Sequence, residues 1–148
     1  MVDMDSHRRD AEIQAVFSHL YEISRRATAR SRNLGEPLTF VEHSLLRFIA
    51  ATPGARAIDI AAAFSLNRST VSRQVNTLIT LGLVHYLDHD EHPGRGRVVA
   101  LTERGRARLA TSAALQQGVV TERLAAWTDA EITAFAAALA RYNDTGQK

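Results

Sequence analysis

The sequence predicts a mainly α-helical chain with one small β-hairpin. Three observations carry this. Two short helical patterns meet across a three-residue joint, Ser65-Leu66-Asn67. A polar, glycine-bearing stretch then separates two short segments with strand character, 83–88 and 98–101. Longer segments with apolar stripes lie at both ends, and neither has an obvious partner within 148 residues. Two short helices on a tight joint, followed by a hairpin, make a winged helix-turn-helix. The terminal stripes read as helices that pair two copies of the chain.

Composition bounds the rest. The chain is 45% apolar with 8 Gly and 3 Pro, an ordinary globular balance for a single domain. It has no cysteine, which removes disulfides and thiolate nucleophiles. The formal net charge is +2, and the only lysine is Lys148, so nearly every cation is Arg. Arg suits phosphates and guanine edges, but GC-rich coding favours it equally, so the preference decides nothing. Residues 1–10 are charged and lack the apolar core of a secretory signal. No apolar run approaches the roughly 18–20 residues of a membrane span. The expectation is a cytoplasmic protein with no membrane partner.

Residues 11–33 read as a long helix, with Ile13, Val16, Phe17, Leu20, Ile23 and Ala27 forming one stripe. Arg25, Arg26, Arg30 and Arg32 lie opposite, and Leu34-Gly35-Glu36-Pro37 breaks the pattern. Thr39 opens the next helix, because Glu42 three residues on completes a capping box. Its buried stripe is expected at Val41, Leu45, Phe48 and Ile49, and Pro53-Gly54 ends it. A short helix follows over 57–64. Asn67 is a good cap for a helix over 68–81, and Gly82 is its natural stop. The hairpin has a polar tip over 90–97. Thr102 caps a helix to about residue 126, with Leu109, Ala113, Val120 and Leu124 in its stripe. Thr128-Asp129-Ala130-Glu131 is a second capping box, opening a helix in which Ile132, Phe135, Ala136 and Leu139 face inward. No internal repeat or low-complexity segment is present.

The helix from Arg68 carries the strongest chemical signal. At about 100° per residue, Val71, Val75 and Leu78 share one side, while Ser69, Arg73 and Asn76 cluster around the opposite pole. Thr70, Ser72 and Thr77 flank them. No acidic residue occurs from Ala61 to Leu87. A face that meets phosphates must exclude carboxylates, whereas a merely solvated face has no such need. The hairpin tip adds Gly94-Arg95-Gly96-Arg97, two guanidiniums between glycines that permit close approach to a narrow groove. A third cluster, His85, Asp88, His89, Asp90, Glu91 and His92, has metal-ligand residue types. Alternation sends His85 and His89 to one side and Asp88 to the other, so the expectation is a solvated wing base, with no metal and no cofactor.

With these residues in place, the stretch 58–109 resembles the MarR family of bacterial regulators. The resemblance rests on Ile60-Ala61 and Leu66, on Ser69-Thr70-Val71-Ser72-Arg73, on Leu81-Gly82-Leu83-Val84, and on Leu101-Thr102-Glu103-Arg104-Gly105. It implies one domain, with residues 11–36 and 103–143 forming a helical dimerisation region and 39–102 a winged-helix reading head whose wing spans 83–101. It also implies a homodimer acting on pseudo-palindromic double-stranded DNA, typically as a repressor. Arg73 matches the recognition-helix Arg, and Arg95 the wing-tip Arg. The family wing carries Asp-Arg just before that Arg, and here Pro93-Gly94 stand there instead, which makes Arg97 a second candidate for the wing contact. Many members bind a small aromatic or phenolic effector. The candidates for that here are Tyr21, His43, Arg47 and Trp127.

The DNA-contacting set expected from sequence is therefore Arg68, Ser69, Thr70, Ser72, Arg73, Asn76, Arg95 and Arg97. Arg68 would mainly hold phosphate, at the helix N-terminus. The alternative is a winged helix that binds a protein partner without specific DNA binding. An enzyme is not expected, since no nucleophile elbow, phosphate-binding loop, dinucleotide fingerprint or His-Glu-x-x-His is present.

Overall fold

The structure is a computed structural model that describes residues 4–33, 38–87 and 96–144, with backbone only at 31–33. Among these residues the elements run α1 (Met4–Asn33), α2 (Phe40–Ala51), α3 (Ala57–Phe64), α4 (Arg68–Thr80), β1 (Val84–Tyr86), β2 (Val99–Leu101), α5 (Glu103–Arg123) and α6 (Asp129–Asp144). The chain divides into two compact units, Met1–Ser112 and Ala113–Lys148. No helix among the described residues is long and apolar enough to cross a membrane. The Leu34–Pro37 break and the C-terminal tail from Thr145 fall outside the described residues.

Local chemistry sets the helix ends. The Thr39 hydroxyl accepts from the Glu42 N–H at 3.2 Å, and the Glu42 carboxylate accepts from the Thr39 N–H at 2.9 Å, so the capping box at α2 is complete. Asn67 caps α4, its side-chain oxygen accepting from the Thr70 N–H at 2.8 Å. At the far end of α4, Gly82 takes φ +72°; its N–H reaches the Ile79 carbonyl and the Leu83 N–H reaches the Leu78 carbonyl, both at 2.9 Å. That pair of bonds is a Schellman motif, and Leu78 and Leu83 bury together beside it. At α6, Glu131 and Thr128 exchange the same two bonds as at α2.

α2, α3, α4 and the hairpin share one core. Leu45, Leu46, Ile60, Val71, Val75 and Leu78 are all at most 1% exposed, and Leu83, Val84, Val99 and Leu101 close it from the strands. Phe48 and Phe64 meet edge to face at its border, centroids 5.6 Å apart. The strands are antiparallel, with Val84 opposite Leu101 and Tyr86 opposite Val99. Each is shorter than the sequence suggests. A further bridge joins Arg56 to Val98, and the Val99 N–H reaches the Ala55 carbonyl at 2.8 Å. Ala55-Arg56 carries neither β-branching nor alternation, so nothing local announces that bridge.

Three expectations need correction. Val41 is 46% exposed, while His43 and Leu46 are buried, so the buried stripe of α2 is rotated toward those two. The neighbouring elements, not the apolar count, choose the face. α1 starts at Met4, a full two turns before residue 11. Finally, the terminal stripes do not face inward within one chain: Phe135 and Leu139 are each 39% exposed, and Ile13, Val16 and Phe17 more than half exposed.

Candidate nucleic-acid interface

The outward face of α4 follows from its inward one. Val71, Val75 and Leu78 are driven into the core, which turns the remaining arc of the helix to solvent. Arg68, Ser69, Ser72, Arg73 and Asn76 are exposed along it, and Thr70 is half-buried. At its start the Asn67 side-chain oxygen takes both the Thr70 N–H and the Ser69 hydroxyl proton, each at 2.8 Å. The Ser69 oxygen keeps its acceptor capacity, and the first-turn N–H groups beside Arg68 face the same end. That end is electropositive, both by charge and by peptide dipoles. The joint before it is tight: Ser65 sits at φ +52°, a left-handed position unusual for a non-glycine residue.

The wing is set against α4 by one junction. The Thr102 hydroxyl donates to the Gly82 carbonyl at 2.6 Å, and the Thr102 N–H to the Leu83 carbonyl at 3.0 Å. The same hydroxyl accepts from the Gly105 N–H at 3.0 Å, capping α5. A Cβ on Gly105 would lie 1.9 Å from the Leu83 carbonyl oxygen, so the two segments can approach only because residue 105 has no side chain. The sequence stretches 81–84 and 101–105 are thus one physical lock, fixing where the hairpin leaves the recognition helix.

At the root of the hairpin, Arg97 is exposed and its guanidinium carbon lies over the Tyr86 ring, 4.5 Å from the centroid. The Arg56 guanidinium donates to the Gly96 carbonyl. Sequence reasoning missed Arg56. Its one local signal is Asp59, three residues on, whose carboxylate accepts the Arg56 N–H at 2.8 Å and marks a helix start. Arg95, with Pro93 and Gly94, falls outside the described residues, as do Asp88, His89, Asp90, Glu91 and His92. His85 is exposed on β1. Among the described residues no group of three His, Cys, Asp or Glu side chains is placed to hold a metal ion.

The four effector candidates are not equivalent. Tyr21 is exposed on α1 and lines a surface hollow of about 380 Å³ with Ser24, Arg25, Thr28 and Ala29. His43 is buried on α2, its Nδ1 sharing a 2.8 Å hydrogen bond with the hydroxyl of fully buried Ser112. Arg47, one turn further along α2, is exposed. Trp127 belongs to the second unit, where it packs on Phe135 at 5.4 Å. Beside the hollow, the Glu22 carboxylate accepts from Arg25 and Arg26. The hydrogen bond from Arg25, reinforced by Arg26, holds Glu22 at about 2, far below the usual carboxylate range.

Comparison with known proteins agrees with this geometry. The MarR_2 family model, described as the MarR family, matches residues 36–96. No curated protein shows significant sequence similarity to the chain. A MarR family protein from Bacillus stearothermophilus is similar in structure at a TM-score of 0.81 and 22% identity, over 96% of this chain and 98% of that one. A MarR family transcription regulator is similar at 0.76 and 26% identity, over 99% of both chains. The S. aureus MepR-DNA complex is similar at 0.62 and 17% identity, over 93% of this chain and 96% of that one. At those identities the first and third likenesses speak for the fold. Residues 36–96 thus match the MarR family model, and over nearly its whole length the chain is similar in fold to MarR family proteins.

Proposed function

We propose that the protein is a cytoplasmic homodimer that binds double-stranded DNA sequence-specifically and represses transcription at pseudo-palindromic operators. In this reading residues 39–102 read the duplex, and 11–36 with 103–143 pair the two chains. The supporting observation is the exposed face of α4. It is polar, centred on Arg73 and free of carboxylates, while the opposite face is fully buried. A duplex accepts such a face in its major groove, where Arg pairs with guanine and Asn with adenine. Ser69, Thr70, Ser72, Arg73 and Asn76 contact base edges and phosphates. Arg68 holds phosphate at the helix start, and Arg95 and Arg97 belong to the wing. Pairing is supported by the exposed apolar residues of α1 and α6, which one chain leaves in water. A small aromatic or phenolic effector relieves repression, with Tyr21, His43, Arg47 and Trp127 as its candidate contacts.

The test is selection from random-sequence duplex with the purified protein, followed by titration at several salt concentrations. The expected product is a palindrome with half-sites about 10 bp apart and a steep salt dependence. On that duplex Arg73→Ala should weaken binding by about 1–3 kcal/mol and relax the preference at one position per half-site. No enriched sequence and a flat salt response would leave a protein-binding module instead.

A further inference from the structure

We propose that Ser69 meets an amino-bearing base, cytosine or adenine, as a hydrogen-bond acceptor, and that Asn67 fixes it in that role. This rests on the DNA-binding reading above and names what that reading leaves open: which groups of a duplex Ser69 can meet. A serine hydroxyl ordinarily suits either kind of partner, having one proton and two lone pairs. Here the proton is committed. The Asn67 side chain accepts from the Thr70 N–H at 2.8 Å, and a backbone N–H can bond only to the oxygen of an amide, never to its NH2 group. The orientation of the Asn67 amide follows from that bond. The oxygen has no proton to give, so the Ser69 hydroxyl, 2.8 Å from it, is the donor. Lone pairs are all that Ser69 has left to offer. Ser69 is exposed and shares the outward pole of α4 with Arg73, one turn on. Phosphate oxygens, guanine O6 and N7, and thymine O4 are themselves acceptors and find no proton there. Cytosine N4 and adenine N6 carry the matching protons. Arg73 has the opposite character, with N–H donors and no acceptor, and suits guanine. Neighbouring side chains on one ridge therefore ask for opposite base chemistry. The Ser69 proton can turn outward only by leaving Asn67, and that loss is what separates the bases.

The test is selection from random-sequence duplex with the full chain and its variants, followed by titration of labelled duplexes whose selected base lacks its amino group. At one position per half-site the unaltered protein should prefer A or C over G or T by about fivefold, the worth of one ordinary hydrogen bond. Removing the amino group should cost the same factor. Ser69→Ala should abolish both effects at that position and leave the base read by Arg73 unchanged. Asn67→Gly, a cap change that helices tolerate well, frees the Ser69 proton and should flatten the preference while binding persists. Asn67→Asp keeps an acceptor and should restore the preference, although its charge weakens all sequences alike. In the Ser69→Ala background Asn67→Gly should not alter base preference further. A change that persists there means that Asn67 only supports the helix, and overturns the proposal. Preference for G or T at the Ser69 position, or no position sensitive to Ser69→Ala, overturns it as well. These outcomes leave the DNA-binding reading standing where Arg73→Ala still changes the selected sequence. A protein that enriches no duplex defeats that reading and this inference together.

Discussion

The reading head and the terminal helices solve the problem of their apolar residues in opposite ways. In the head, Leu46, Ile60, Val71 and Leu78 are fully buried by α2, α3, α4 and the hairpin within one chain. In α1, Phe17 is 66% and Ile13 53% exposed, and α6 buries none of its residues. Both regions are amphipathic, so the contrast does not come from composition. The head closes its core on its own contacts, whereas the terminal stripes stay in water in one chain, which is what the proposed pairing of two copies would relieve.

The largest expected effect tests how tightly the head is closed. Gly105→Ala should gain about 1 kcal/mol in helix propensity. The clash with the Leu83 backbone oxygen at 1.9 Å outweighs it, for a net loss of about 3 kcal/mol or more. A denaturant midpoint unchanged from wild type would show that the two segments are not locked. Next, Leu78→Ala should cost about 3 kcal/mol through the cavity it leaves, whatever the protein concentration. Phe17→Asp should instead convert dimers to monomers in sedimentation, and the melting temperature of wild type should rise with concentration. If Phe17→Asp sediments as a dimer, the pairing lies elsewhere and the contrast drawn above loses its explanation.

Two smaller effects sharpen the comparison. Ser65→Gly should raise stability by about 0.5–1 kcal/mol, because glycine adopts the left-handed joint at less cost. On α1 the stabilisation is electrostatic and exposed. Glu22 is lowered to about 2, chiefly by Arg25, so its ion pairs are fully present above the ordinary carboxylate value of 4.5 and are lost as pH falls toward 2. A carboxyl carbon titration should show that low midpoint, and 1 M salt should move it back up. A midpoint near 4.5 at low salt would mean the pairs do not form in solution.

Much of the site was legible because its signals are local. Capping boxes at Thr39 and Thr128, the Asn67 cap and the Gly82 stop each depend on residues within a few positions. The outward face of α4 was equally readable, since three strongly apolar residues at helical spacing leave the polar arc no other place. Arg56, by contrast, reaches Gly96 across forty residues, and its own neighbourhood reads as nothing more than a helix start. His43 enters the sequence reading only as a candidate effector contact, and its burial against Ser112 depends on α5 passing α2. Val41 was misplaced because α2 offers apolar residues over more than one face, and periodicity cannot choose between them.

Sequence by itself determined where α2, α4 and α6 begin and where α4 stops, which side of α4 stays polar, and that no carboxylate lies between Ala61 and Leu87. Those properties follow from short-range hydrogen bonding and from the helical repeat. Tertiary structure alone decided which face of α2 is buried, how Gly105 admits the Leu83 backbone, and that Arg97 lies against Tyr86 beneath a tie from Arg56. These contacts join residues distant along the chain. Their partners are selected by packing, which no local pattern encodes.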